Sequence, residues 1–145
     1  MRIIITGANG QLGLELSKQL SRNKEYEVIC TDIEELNIVD INSVNKVISK
    51  YKPDVVINCA AHTAVDLCET DIENAYKINA IGPRNLAIAC EKVNAKFVQV
   101  STDYVFDGNI DRPYREDDNT CPNSIYGSSK LMGKNSQKNF AQGTL

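Results

Sequence analysis

With 145 residues and 42% hydrophobic content, the chain has the size and apolar fraction of one folded domain, which excludes a disordered or low-complexity polypeptide. The formal charge is -3 with Lys and Arg scattered along the sequence, so no basic stripe can displace counterions from a phosphate backbone, and nucleic acid is excluded as an expected partner. The apolar run Ile3-Ile4-Ile5 is too short for a signal peptide or a membrane span, and a cytoplasmic protein with no membrane contact is expected.

A strand is predicted over residues 2–5, followed at once by glycines at 7, 10 and 13 and by Leu12, Leu16 and Leu20 at helical spacing. Gly7, Gly10 and Gly13 fit a dinucleotide-binding turn, which needs a sharp reversal, close approach of backbone to a pyrophosphate and tight helix-strand packing. The helix runs over 11–22, and its free N-H groups face the anion. A second strand over 27–31 ends at Asp32, about twenty residues past the turn, where a carboxylate accepts bonds from the ribose hydroxyls of NADH. Ile33-Glu34-Glu35 adds negative charge and no arginine, so NADH is favoured over NADPH.

A short segment at 36–39 precedes a helix over 43–51, and Pro53-Asp54 punctuates the chain before a strand over 55–57. Helical spacing through Ala75, Ile78, Leu86, Ala89 and Val93 predicts one helix over 71–93, and a strand follows over 96–100. Residues 103–123 are rich in Asp, Asn, Pro and Gly and predict a functional loop; a helix over 124–140 returns, weakened by Gly127 and Gly133. Strands alternating with helices at these lengths give an α/β fold, a doubly wound parallel sheet of Rossmann-like type.

Cys30, Cys59, Cys68, Cys90 and Cys121 are odd in number and lack C-x-x-C spacing, so neither a disulfide framework nor a zinc site is expected, and Cys30 and Cys59 read as small core residues. His62 is the single histidine and suits packing or a cofactor wall better than metal ligation. No metal site is expected: Glu15 reads as a solvated helix residue and the run from Arg115 to Asp118 as a solvated loop.

Two further features bear chemistry. The hydroxyl pair Ser101-Thr102 ends the last strand at the sheet edge where ligands sit, and Tyr126 and Lys130, four apart, share one helix face. With TGANGQLG (6–13), VINCAAHTAVD (56–66), INAIGPRNLA (78–87), STDYVFDG (101–108), PYRED (113–117) and YGSSKL (126–131) in this order, the chain resembles the extended short-chain dehydrogenase/reductase family. Within it the likeness is to enzymes acting on sugar nucleotides. STDYVFDG discriminates, pointing to NADH- or NADPH-dependent reduction of the 4-keto group of dTDP-4-dehydro-6-deoxy-L-mannose to dTDP-L-rhamnose.

The resemblance implies roles residue by residue. Tyr126 would be the general acid, assisted by the charge of Lys130, which would also hold the nicotinamide ribose. Thr102 would donate a hydrogen bond to the same substrate oxygen, with Asp103 beside the substrate. Gly10, Gln11 and Leu12 would touch the pyrophosphate; Ala60, Ala61, His62 and Thr63 would wall the adenosine and ribose; Asn79 would support the network. Asn37-Ile38 stands where the family commonly carries Asp before an aliphatic residue near adenine. The partner would be a nucleotide sugar, and the full-length form would be a homodimer.

Two other readings stay open. One is a non-enzymatic module resembling the regulatory subunit of methionine adenosyltransferase, and the other is a sugar-nucleotide epimerase or dehydratase, which STDYVFDG disfavours. The sequence after Leu131 departs from the family's glycine-glutamate continuation. Relatives run to about twice this length, so residues 1–145 are expected to be an incomplete dinucleotide-binding domain with the substrate domain absent. Such a chain alone is expected to bind cofactor only weakly or not at all and not to turn over.

Overall fold

The computed structural model describes residues 1–140. Among them, β1 (Arg2–Thr6), β2 (Glu27–Thr31), β3 (Val55–Asn58) and β4 (Lys96–Gln99) form one parallel sheet in the order β2-β1-β3-β4. Helix α1 (Gln11–Leu20) links β1 to β2, and α2 (Ile41–Tyr51) links β2 to β3. Between β3 and β4 lie α3 (Val65–Cys68), α4 (Ile72–Tyr76), a π-helical turn over Lys77–Ile81 and α5 (Gly82–Lys92). A 3-10 turn (Asp103–Val105) and α6 (Ile125–Phe140) complete the α/β, Rossmann-like architecture that the alternation predicts. The strand order reverses between β1 and β3, and a crevice opens there beyond the carboxyl ends of both strands.

Strand alternation divides the apolar residues between two faces. Ile4 and Val56 point to one side, where Val44 and Ile48 of α2 and Leu86 and Ala89 of α5 bury them. Ile3 and Ile5 point to the other, against Leu16 and Leu20 of α1. Ile4, Val56 and Leu86 are fully buried, each worth about 1.5–3 kcal/mol relative to exposure. Among the described residues no helix is long and apolar enough to cross a membrane.

Three expectations need correction. Cys30 is exposed: among the described residues β2 lies at the edge of the sheet, and the Ser17 hydroxyl of α1 accepts from the Cys30 thiol at 3.2 Å. Cys59 is only half-buried. The single helix expected over 71–93 is interrupted by the π-helical turn, which carries the buried Asn79. The segment 36–39 is irregular but not loose: Leu36 and Ile38 are buried, and Asn85 of α5 donates to the carbonyls of Ile38 and Val39, both at 3.0 Å.

Candidate active site

The turn after β1 is built by close approach. Gly7 has φ +63, and a Cβ there would lie 2.6 Å from the Ala60 nitrogen; at Gly13 it would collide with the Gly7 carbonyl and come within 2.7 Å of the Ala8 Cα. Gly10 caps α1 without a side-chain bond, and the first turn of that helix holds no acidic residue. Its leading N-H groups are therefore open to an anion, and Gln11 and Leu12 are exposed beside them.

A cleft of about 330 Å³ opens next to this turn, lined by Gly7, Gly10, Asp32, Asn37, Ile38, Ala60 and Ala61, among others. The Asp32 carboxylate stands at the cleft and accepts from the backbone N-H groups of Asn9 at 2.9 Å and Ile33 at 2.8 Å. His62 and Thr63 do not line the cleft. The His62 ring turns toward α3 and α4, with Nδ1 3.4 Å from Cys68 Sγ and Nε2 3.4 Å from an Asp71 oxygen, so it packs and does not wall the cleft. The cradle at Gly7 and Gly10, the uncapped helix start and the carboxylate at the cleft together fit a dinucleotide.

Helix α6 carries Tyr126 and Lys130 and is fastened at its start by two acceptors. Ser124 Oγ accepts from Gly127 N at 3.0 Å, and Glu69, from the distant turn after α3, accepts from Ile125 N at 2.8 Å. Gly127 and Gly133, which weaken the helix on propensity alone, allow the helix to touch other backbone: a Cβ would strike the carbonyls of Tyr104 and Asn79 respectively. The Tyr126 ring meets Tyr104 edge-on at 5.4 Å. Lys130 is 5% exposed, and its Nζ donates to the Val100 carbonyl at 2.7 Å. Burial pushes its pKa down, and the nearby Cys59 opposes that shift.

Asn79 does not line the cleft but acts as a hub. Its Oδ1 accepts from the His62 N-H at 2.8 Å, and its Nδ2 donates to the His62 carbonyl at 3.1 Å and to Ser129 Oγ at 3.0 Å, joining the loop after β3 to α6. Thr102 caps the 3-10 turn, accepting from Tyr104 N at 3.3 Å and donating to Asp103 at 3.1 Å. Asp103 and Tyr104 then line a second cavity of about 340 Å³ with Phe106, Asp107, Tyr114 and Ser124.

The loop beyond it is ordered by its own side chains. Phe106 stacks on Tyr114 at 4.0 Å, the Tyr114 hydroxyl donates to Asp107 at 3.2 Å, and Arg112 makes two 2.7 Å bonds to Asp118. Those bonds hold the Asp118 carboxyl down at about 2. Among the described residues no group of His, Cys, Asp and Glu could hold a metal ion.

Sequence reasoning missed Asn58, Gln99, Asn85 and Glu69. The signal for the first two was a polar residue ending each apolar strand: Thr6, Thr31, Asn58 and Gln99 are in register across the sheet. Nothing local marks Glu69 or Asn85, whose partners are 56 and 46–47 residues away.

Comparison with known proteins gives consistent matches. Residues 1–143 match the family described as RmlD substrate binding domain. The spore coat polysaccharide biosynthesis protein SpsK of Bacillus subtilis (strain 168) is 47% identical over 133 residues, 92% of this chain and 47% of the relative. A crystal structure of a dTDP-4-dehydrorhamnose reductase from Clostridium acetobutylicum superposes with a TM-score of 0.94 at 56% identity, covering 97% of this chain and 50% of that one. The dTDP-4-dehydrorhamnose reductase of Bacillus anthracis, solved in complex with NADP, gives a TM-score of 0.93 at 45% identity over 96% of this chain and 49% of its own. The chain thus spans about half the length of the curated relatives it matches.

Proposed function

Since this chain belongs to the RmlD substrate binding domain family, we propose that it supplies the cofactor-binding and proton-donating part of a dTDP-4-dehydrorhamnose reductase, with residues 1–145 as its dinucleotide-binding unit. The activity is reduction of the 4-keto group of dTDP-4-dehydro-6-deoxy-L-mannose to dTDP-L-rhamnose. The observation that carries this reading is the Lys130 bond to the Val100 carbonyl, which pins the Tyr126 helix beside Ser101-Thr102 at the carboxyl end of β4.

The adenosine half of a nicotinamide dinucleotide fits the cleft between Asp32 and Ala60, with its pyrophosphate on the N-H groups of Gln11 and Leu12. When bound, the nicotinamide supplies the hydride. Tyr126 gives its phenolic proton to the ketone oxygen, and Thr102, turning its one hydroxyl proton from Asp103, donates a second hydrogen bond to that oxygen as charge develops. The Lys130 ammonium, held by Val100, favours the tyrosinate left behind and holds the nicotinamide ribose. Asp103 borders the cavity at Tyr104, where the sugar nucleotide is expected.

Asp32 supports NADH binding at least as well as NADPH, because its carboxylate repels a ribose 2'-phosphate. The Bacillus anthracis relative was solved with NADP, so fluorescence titration with both cofactors is the direct comparison; a clear preference for NADPH rejects the inference from Asp32. For activity, residues 1–133 are joined to the remaining half of the Clostridium acetobutylicum reductase. Oxidation of NADH or NADPH on adding the 4-keto sugar nucleotide is expected, and a folded, cofactor-binding chimera without turnover contradicts the proposal.

A further inference from the structure

Thr6, Asn58 and Gln99 end β1, β3 and β4 in register, and their side chains form one directed row of hydrogen bonds. The Thr6 hydroxyl donates to Asn58 Oδ1 at 2.5 Å, Asn58 Nδ2 donates to Gln99 Oε1 at 2.7 Å, and Gln99 Nε2 donates to the Val100 carbonyl at 2.9 Å. The row ends on the oxygen that receives the Lys130 ammonium. Asn58 Oδ1 also accepts from the Ala60 N-H at 3.2 Å, and Ala60 lines the cleft, so the row links the cleft wall to Lys130.

We propose that Asn58 and Gln99 are positioning residues that fix the Lys130 side chain against the Val100 carbonyl, with the Ala60 N-H setting the direction of the row and Thr6 closing its far end. This rests on the reading of Lys130 as a site residue. Each amide has one workable orientation. Asn58 takes two donors on its oxygen, so its nitrogen must face Gln99; Gln99 must then turn its oxygen to Asn58 and its nitrogen to Val100. Val100 divides its two lone pairs between Gln99 and Lys130. Reversing either amide would bring like groups face to face in a region where Thr6 and Asn58 are almost fully buried.

The arrangement answers a physical difficulty. A lysine ammonium out of water tends to extend toward solvent, carrying its charge with it. Gln99 holds the Val100 carbonyl in place as a fixed acceptor, and donation along the row of amides strengthens the Gln99 bond that holds it there. Cys59 is the titratable neighbour coupled to Lys130, and its thiol is itself pushed up by burial, so it adds little charge of its own.

The test is competitive acetylation of the 145-residue chain across a range of pH, with each lysine quantified by mass spectrometry. Gln99→Met keeps the side-chain length but removes both polar atoms. It should raise the limiting reactivity of Lys130 by about fivefold, the size expected for one lost hydrogen bond, and Thr6→Val should raise it by about twofold. In both, the pH midpoint of Lys130 should move up toward that of an ordinary lysine, while exposed Lys50, Lys92 and Lys96 stay unchanged. Unchanged Lys130 reactivity and midpoint in both variants overturn the proposal. Should Gln99→Met raise every lysine together, the fold itself has loosened, and the volume-conserving Thr6→Val decides by the same criterion. Labelling does not depend on turnover, so failure here is distinct from failure of the proposed activity.

Discussion

Around the glycine turn after β1, geometry comes from backbone contact and apolar packing: Gly7 against Ala60, Gly13 against Gly7 and Ala8, Ile3 and Ile5 under α1. Around α6 it comes from polar side chains that reach far along the sequence: Glu69 to Ile125, Asn79 to His62 and Ser129, Lys130 to Val100. Packing in the first region tolerates little change of volume but is indifferent to charge. The second is directional, and it fails when one donor or acceptor is removed. A dinucleotide needs a cradle of fixed shape, whereas proton donation to a ketone needs a hydroxyl held at one angle. The two kinds of support match the two tasks proposed for these regions.

The contrast is broken most severely at Asn79. Asn79→Leu keeps the volume but removes the bonds to both the N-H and the carbonyl of His62 and cuts Ser129 of α6 loose from the loop after β3. A loss of about 3 kcal/mol in urea unfolding is expected, at about 1–3 kcal/mol for each group left without a partner. A loss below about 1 kcal/mol would mean that water replaces the side chain and that the polar half is less directional than argued.

Gly13→Ala probes the other half. Its Cβ meets the backbone of Gly7 and Ala8, which has no rotamer to yield, so α1 must lift from β1. The expected cost is about 2 kcal/mol, and NADH affinity should fall by about tenfold or more as the pyrophosphate loses its cradle. Unchanged affinity in a folded variant would show that the turn does not grip the cofactor.

Acid sharpens the comparison without a mutation. The Asp118 carboxyl is lowered from 3.8 to about 2, first by its Arg112 bonds and then by the Arg115 N-H. A depressed carboxyl contributes stability above its unfolded value and loses it as pH falls through the folded one, here between about 4 and about 2. Tyr114 ring resonances should shift across that window as the loop at 103–123 loosens, while the amides of β1 hold. Simultaneous change in both would show that the loop and the sheet are not independent.

The same division explains what the sequence discloses. Glycine spacing, Asp32 and the apolar runs of β1 and β3 act through local backbone geometry, so the glycine turn and its strands were legible residue by residue, whereas Asn58 and Asn85, which reach the cleft wall from elsewhere, were not. Tyr126 and Lys130 were legible as a helical pair, but their supports were not. Glu69 caps a helix 56 residues away, and Asn79 lies in a π-helical turn that periodicity reads as plain helix. Cys30 was misplaced because an apolar strand run does not disclose that its strand lies at an edge. Gly127 and Gly133 count against a helix by propensity, yet each lets α6 touch another backbone segment.

The division of labour is tested most directly by Tyr126→Phe in the chimera with the Clostridium acetobutylicum half, measuring kcat for the 4-keto sugar nucleotide and Kd for NADH on the same preparation. The account predicts that kcat falls by about a hundredfold or more while Kd stays within about threefold, because the phenol acts on substrate and the cofactor grip lies at the glycine turn. Near wild-type kcat, or a loss of NADH affinity matching the loss of rate, would contradict it.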